Sequence, residues 1–541
     1  MKKILLIQPP IRDYYRTAKR TIPYGLAAIA GSLRSAGFGV EILDALATDR
    51  SRILSPPEEL AYLSPFYGKP DISPFALFHR FSHYGYSYEH LEKSIRRSNA
   101  FVVGISSLFT AYAEEAMETA KVARKALPKA VIVVGGHHAT AFPEAVLSTS
   151  AVDFVIRGEG EEAMTEFTKA LSGCHPMEDI PGVARRTTAG RFHINPPAVV
   201  SDLDRLPHPA MDLIRHDHYR RVKRSCTVVM TSRGCPMSCT YCCMGKDSPY
   251  PYRKRDPASV LSEIETAVYH HDAAFIDFED ENLALDREGF RSILKGIRER
   301  FQGRELELRA MNGLYPPSLN TKILEEMRAA GFTALNLALG TTDPDQLKRF
   351  RRPDVRREFE RVVHDGHRLG LSIVAYVIAG SPGQDPLSTV TDLIYLSQLP
   401  VVAGLSVFYP APSSVMHDTC NNMKILPKRP GLYRSSAIPV TDTTTRLQSI
   451  TLMRISRMIN FMKRMVSGKI AIPNPETLRQ ALIDPDMGSV NLGVKLISAF
   501  LADGLIRGVL PDGTLYLHQT DDEVTARFIA GCSPQRVSAS A

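Results

Sequence analysis

The chain has 541 residues, 44% hydrophobic and 23% charged, with a formal net charge of +8. That length exceeds what one core holds, so about two to four domains are expected, of ordinary globular composition. No stretch approaches the ~20 uninterrupted apolar residues of a membrane-spanning helix, and the basic runs Arg220–Arg224, Arg253–Arg255 and Lys348–Arg352 lack the interleaved aromatics of a nucleic-acid groove, so they read as solvated faces.

The apolar run Ile4–Ile7 is too short for a signal-peptide core and stops at Pro9 and Pro10, so it reads as a strand. Eight cysteines without a secretory signal argue against a disulfide framework and for a reducing cytoplasm. Apolar runs at 3–8, 40–43, 101–106, 131–134 and 154–157 alternate with amphipathic stretches such as 112–127. Continuous apolar strands separated by helices predict a parallel sheet covered on both faces, with ligands bound beyond its carboxyl edge. Small and polar residues collect there: Ser106, Ser107, Gly135, Gly136, His137, His138 and the run Arg157–Glu161 containing Gly158 and Glu159. The two histidines suit surface or capping roles better than metal ligation. No glycine-rich dinucleotide or ATP fingerprint follows any strand. Residues 51–99, rich in Pro and aromatics, break the alternation and read as an insertion over the cofactor edge or the neighbouring domain.

After a Pro-rich connector the alternation resumes, with strands at 227–231, 274–278, 306–310, 334–339, 373–378 and 405–409. Six βα units predict a partial barrel, open on one side, with its chemistry at the strand C-termini. The first of those termini carries Cys235, Cys239 and Cys242, spaced C-x3-C-x2-C. Three thiolates from one loop can hold three irons of a four-iron, four-sulfur cluster and leave the fourth open to a small molecule. A structural zinc site would take four ligands, often as two C-x2-C pairs, and the remaining cysteines (Cys174, Cys226, Cys243, Cys420, Cys532) are scattered.

With Tyr241 just before the third cysteine, the chain resembles the radical S-adenosylmethionine (SAM) enzymes. The resemblance implies Cys235, Cys239 and Cys242 as cluster ligands. It places Glu279, Asp280 and Glu281 at the methionine ammonium, Gly340 and Thr342 at the ribose or carboxylate, and Ile378 and Gly380 at the adenine. Thr342 stands where relatives carry Glu or Gln, so a hydroxyl or a water replaces a charged contact there. The first third resembles the cobalamin-binding domain that precedes the radical domain in one class of these enzymes, on the stretches Tyr24–Leu26, Gly104–Ser107, Val134–His137 and Arg157–Glu161. That likeness implies Ser106, Ser107, Gly135 and Gly136 as the lining of the slot for the nucleotide tail, with Gly158 and Glu159 beside them. The Asp-x-His-x-x-Gly motif that supplies an axial histidine is absent, which argues against a histidine-on form. A sheet that kept the fold without the cofactor is the alternative.

The expected layout is an α/β chain. A Rossmann-like cobalamin-binding domain spans 1–190, a connector 191–224, a partial (β/α)6 radical SAM barrel 225–415, and a mainly helical, winged cap 416–541. Within the cap, 444–466 and 491–501 read as helices, 504–513 as a hairpin, and the tail after Cys532 as disordered. The implied activity is reductive cleavage of SAM by the cluster, with cobalamin-dependent methylation of an unactivated carbon of a small molecule. One alternative is cyclisation or rearrangement without methyl transfer. A distant one is a non-catalytic metal or electron-transfer protein. An external one-electron reductant of flavodoxin or ferredoxin type is the implied partner. No residue stands out as a hydrogen donor or general base.

Overall fold

The computed structural model describes residues 2–15, 21–173, 176–221, 224–246, 248–437, 439, 441–468, 489–532 and 537–539. Cys174 and most of the tail after Cys532 lie outside the described residues.

The amino-terminal third is a seven-stranded sheet. Five parallel strands form its body: β1 (Lys3–Gln8), β2 (Gly39–Asp44), β3 (Val102–Ser106), β4 (Val131–Gly135) and β5 (Phe154–Ile156). Two antiparallel strands, β6 (Val183–Arg186) and β7 (Phe192–Ile194), extend its edge, giving the order β7-β6-β5-β4-β3-β1-β2. Residues Ile4–Ile7 are at most 3% exposed because helices cover both faces. On one side lie α1 (Tyr24–Ser35) and a helix at Gly160–Leu171; on the other lie α2 (Tyr88–Ser98) and α3 (Ala113–Ala126). The strand order reverses between β1 and β3, and such a switch point is where an open α/β sheet binds its ligand.

The second unit supplies six parallel strands: β8 (Arg224–Val229), β9 (Ala273–Phe278), β10 (Glu307–Arg309), β11 (Ala334–Gly340), β12 (Ser372–Ala379) and β13 (Val402–Val407). They form two ladders, β8-β9-β10 and β11-β12-β13, joined by bridges at Leu308–Phe332 and Leu314–Leu337. Among the described residues β8 and β13 form no ladder with each other, so the partial barrel is open on that side, as expected. Along β12 the burial alternates. Ile373, Ala375, Val377 and Ala379 pack outward against helices, while Val374, Tyr376 and Ile378 face the half-open lumen.

Helices now called α4 (Pro344–Phe350) and α5 (Val415–Asn422) were hidden in the sequence, because each is short and begins beyond a strand end that reads as loop. The sixth strand sits a few residues earlier than its expected range, since Tyr409 and Pro410 already leave the sheet.

The carboxyl-terminal helices α6 (Arg446–Ser467), α7 (Ser489–Asp503) and α8 (Asp522–Gly531) do not enclose a core of their own. Helix α6 starts at a capping box, with the Thr445 hydroxyl accepting from the Gln448 amide and the Gln448 side chain from the Thr445 amide. It then buries Leu452, Ile455, Met458, Ile459 and Met462, each at most 1% exposed, in the same cluster as the barrel's outer face. Burial of each is worth about 1.5–3 kcal/mol, so Ile455→Asp would detach the helix. Strands Arg507–Val509 and Leu515–Leu517 form the hairpin.

The 51–99 stretch contains α2, a regular member of the first unit, and Phe75 and Tyr67 in its remainder pack on the neighbouring domain, one of the two places expected: Phe75 is fully buried against Phe461, and the Tyr67 hydroxyl donates to the Ser436 carbonyl. One expectation changes. In the tail expected to be disordered, Val537 is 5% exposed and the Ser538 amide donates to the Ser397 carbonyl. No helix among the described residues is long and apolar enough to cross a membrane.

Candidate functional site

Strand β8 ends at Val229, and the chain turns at Gly234 into the cysteine loop. Gly234 has φ +77°, and a Cβ there would lie 2.5 Å from the Pro251 carbonyl oxygen, so only glycine allows this turn. Cys235 is buried, while Cys239 and Cys242 are partly exposed. Burial pushes the Cys242 thiol up to about 12, with neighbouring thiols adding to it, and raises Cys235 as well. Thiols in this state give up their protons only to a bound cation. Cluster ligands each take a different iron, and three thiols on one loop supply that donor set.

The acidic segment after β9 divides into three roles. Asp280 is 1% exposed and its carboxylate is enclosed by the Thr231 amide at 3.1 Å, the Thr231 hydroxyl at 2.6 Å and the Ser232 hydroxyl at 2.6 Å. It braces the end of β8, with both hydroxyls on one oxygen and only the Thr231 amide reaching the other, a structural role beside the SAM contact that the resemblance implies. Glu281 accepts from the Gly234 amide at 3.1 Å, which places it against the cysteine loop with one oxygen uncommitted. Glu279 has no cation beside it; burial and then the charge of Asp277 push it up to about 6.

Two residues in this region escaped the sequence reading. Asn282 is 4% exposed and its buried Oδ1 has no partner. Arg352 donates to the Tyr241 hydroxyl at 2.7 Å and to the Ala338 carbonyl at 3.0 Å, lies 5.6 Å from the centre of the Tyr315 ring, and has a buried Nε without a partner. Arg352 belongs to a run that reads as solvated. The signal that could have singled it out is its position just past α4, the short helix that follows the motif ending β11.

At that motif Gly340 has φ +85° with open space where a Cβ would stand, bounded by Arg352 at 3.9 Å. The Thr342 amide and hydroxyl both donate to buried Asp392 at 2.6 Å, so Thr342 offers a ligand only its lone pairs. Ile378 packs beside Tyr241 at the mouth. Gly380, expected at the adenine, is glycine for another reason: a Cβ there would meet Pro439 at 2.8 Å.

Across the mouth lies the carboxyl edge of the first sheet. Ser107 is 2% exposed and its hydroxyl has no partner, although its amide donates to the Gly135 carbonyl. Gly136 has φ +108° and a Cβ there would lie 2.7 Å from the Ser107 carbonyl oxygen. Beside them Leu108 and Phe109 are 41% and 46% exposed, as is Tyr409 (39%) at the end of β13. An orphaned hydroxyl in a glycine-lined cleft, rimmed by apolar side chains, fits a large flat cofactor with a polar tail. Ser106, Ser107, Gly135 and Gly136 thus stand together. His138, expected in a surface or capping role, is 5% exposed in the first turn of the helix His137–Ala141, with Nδ1 3.3 Å from the Thr110 hydroxyl.

Gly158 and Glu159 belong elsewhere. Gly158 bridges Ala198, whose carbonyl oxygen would sit 2.2 Å from a Cβ. The Glu159 carboxylate takes Arg253 at 2.7 and 2.9 Å, Arg233 at 3.4 Å and the Val200 amide at 2.6 Å, while Glu161 takes Arg233 at 2.6 Å. Arg233 lies two residues before Cys235, so this buried network fastens the first unit to the root of the cysteine loop. Gly158 packs within the first unit and Glu159 ties that unit to the second, so both are engaged away from their expected place at the cofactor.

The B12 binding domain family matches residues 77–168, and the Radical SAM superfamily matches residues 229–390. An uncharacterized methyltransferase of Pyrococcus horikoshii is 25% identical over 71% of this chain and 75% of its own length. An anaerobic magnesium-protoporphyrin IX monomethyl ester cyclase of Rubrivivax gelatinosus is 28% identical over 48% of this chain and 47% of its own. The radical SAM methyltransferase TsrM from Kitasatospora setae, solved with cobalamin and a [4Fe-4S] cluster, shares the fold with a TM-score of 0.59 at 17% identity, over 81% of this chain and 82% of that one. With the three-cysteine loop at the mouth of a partial barrel and the glycine-lined sheet edge opposite it, the chain carries a B12 binding domain followed by a Radical SAM superfamily domain.

Proposed function

We propose that the protein is a cobalamin-dependent radical SAM methyltransferase acting on an unactivated carbon of a small molecule. The observation that carries this reading is the opposition of two sites, the cysteine loop and the sheet edge at Ser107, Gly135 and Gly136, fastened together by Arg233, Arg253, Glu159 and Glu161. When bound, the cluster supplies the electron that cleaves SAM, and cobalamin supplies the methyl carrier. The chain's own part is placement. Cys235, Cys239 and Cys242 hold the cluster, Glu281 and the Asn282 carbonyl offer acceptors to the methionine ammonium, and Arg352 offers donors beside Tyr241. The polar lumen residues Asp277, Arg309 and Tyr376 face the space where a substrate sits. An external one-electron carrier completes the system.

The cyclase relative favours a second reading, ring formation without methyl transfer. Methyl-deuterated SAM separates the two. Labelled product with both S-adenosylhomocysteine and 5′-deoxyadenosine is expected for methyl transfer. Release of 5′-deoxyadenosine without S-adenosylhomocysteine or cobalamin uptake selects ring formation.

A further inference from the structure

Helix α4 ends in a turn that sends one cation back towards the barrel. Arg351 takes φ +50°, and the Arg352 amide donates to the Leu347 carbonyl at 3.0 Å, so Arg352 leaves the helix axis. The same end of α4 grips the cysteine loop. The Thr240 amide donates to the Phe350 carbonyl at 3.1 Å, and the Tyr241 ring meets Phe350 edge-on at 4.9 Å. Arg352 and the loop between Cys239 and Cys242 are therefore fixed relative to each other.

The charge of Arg352 meets only neutral groups. Its guanidinium bonds the Tyr241 hydroxyl at 2.7 Å and the Ala338 carbonyl at 3.0 Å, faces the Tyr315 ring, and keeps a buried Nε without a partner. Among the described residues no carboxylate pairs with it. Lys348, by contrast, pairs with Asp345 at 3.0 Å, and the buried Asp392 is spent on the Thr341 and Thr342 hydroxyls at 2.8 and 2.6 Å. Burial works against the Arg352 charge, yet Tyr241 and then Cys239 hold the guanidinium above its ordinary range. A cation withdrawn from water calls for an anion. An iron–sulfur cluster on thiolates is anionic, gains a further negative charge on reduction, and takes its potential partly from the charges around it.

We propose that Arg352 is the counter-charge of the cluster held by Cys235, Cys239 and Cys242, and that it raises the cluster's reduction potential. One electron enters from the external carrier, no bond forms or breaks, and Arg352 stays protonated throughout. The proposal rests on those cysteines holding a cluster.

The test compares the full unmodified chain with Arg352→Gln and Arg352→Lys, each reconstituted without oxygen. Iron is counted, and the midpoint potential is read by electron paramagnetic resonance in a mediated titration with titanium(III) citrate, without SAM. Arg352→Gln keeps hydrogen-bond donors but loses the charge. It is expected to disfavour reduction about tenfold or more, a fall of about 59 mV. Arg352→Lys keeps the charge and should stay within about threefold of the unmodified protein. An unchanged potential in Arg352→Gln would overturn the proposal, and a loss of SAM affinity in that variant would then place Arg352 at SAM instead. A tenfold shift in Arg352→Lys would overturn it equally. Should Arg352→Gln fail to hold about four irons, Arg352→Lys decides by the same limits. If the unmodified protein binds no iron, the reading of the cysteine loop fails instead, and that failure is visible before any potential is measured.

Discussion

The guanidinium of Arg253 grips both carboxylate oxygens of Glu159, at 2.7 and 2.9 Å, and so ties the fifth strand of the first sheet to the chain just beyond the cysteine loop. Both side chains are about one-tenth exposed. Removing Arg253 leaves Glu159 buried with only Arg233 at 3.4 Å and the Val200 amide, which costs about 1–3 kcal/mol. Arg253→Ala is therefore expected to lower the melting temperature by several degrees while leaving hydroxocobalamin affinity nearly unchanged. A selective loss of cobalamin affinity, without a stability change, would return Glu159 to the cofactor.

Gly158 and Gly136 separate structural from cofactor roles. Gly158→Ala forces a Cβ to 2.2 Å from the Ala198 carbonyl oxygen at φ +83°, so a loss of about 2 kcal/mol or more is expected, in cobalamin-free and cobalamin-loaded protein alike. At Gly136 the Cβ would crowd Ser107, whose hydroxyl has no partner. Gly136→Ala should therefore also weaken hydroxocobalamin binding in a spectrophotometric titration.

Oxygen-free reconstitution of the unmodified protein is expected to bring in about four irons per chain, as the cluster type requires. Replacing Cys235, Cys239 and Cys242 with Ala should abolish the brown absorbance. Replacing Cys532, 5% exposed in the core with the carboxyl-terminal helices, should leave it intact.

Glu279 gives a pH signature. Its folded carboxyl titrates near 6 against an ordinary 4.5, so the folded chain holds the proton more tightly than the unfolded one. The fold is then favoured below about 4.5 and loses stability as pH rises towards 6. The penalty above that is at most about 2 kcal/mol. Glu279→Gln should accordingly melt higher than the unmodified protein at pH 8, and the gap should close as pH falls below about 4.5. A gap that is constant with pH would show that Glu279 carries no strained charge.

The strands of both units were legible in the sequence because continuous Val- and Ile-rich runs have no alternative to a sheet covered on both faces. The cysteine loop was legible because its spacing is local. Asp280 and Glu281 are neighbours with the same charge, and nothing in their order reveals that one is sealed under Thr231 and Ser232 while the other reaches Gly234. The same limit concealed Arg352, whose partners are Tyr241 on the cysteine loop and Ala338 on β11.

By itself, the sequence determined the two α/β units, their order, and a trio of thiolates on a strand end, since periodicity and spacing act within a few residues. Only the tertiary structure decided which carboxylates face the mouth and which brace it, that Glu159 joins the two units instead of meeting a cofactor, and that the carboxyl-terminal helices complete the barrel's core. Those outcomes depend on contacts between residues tens to hundreds of positions apart. Burial and hydrogen-bond competition settle such contacts once the chain has closed on itself.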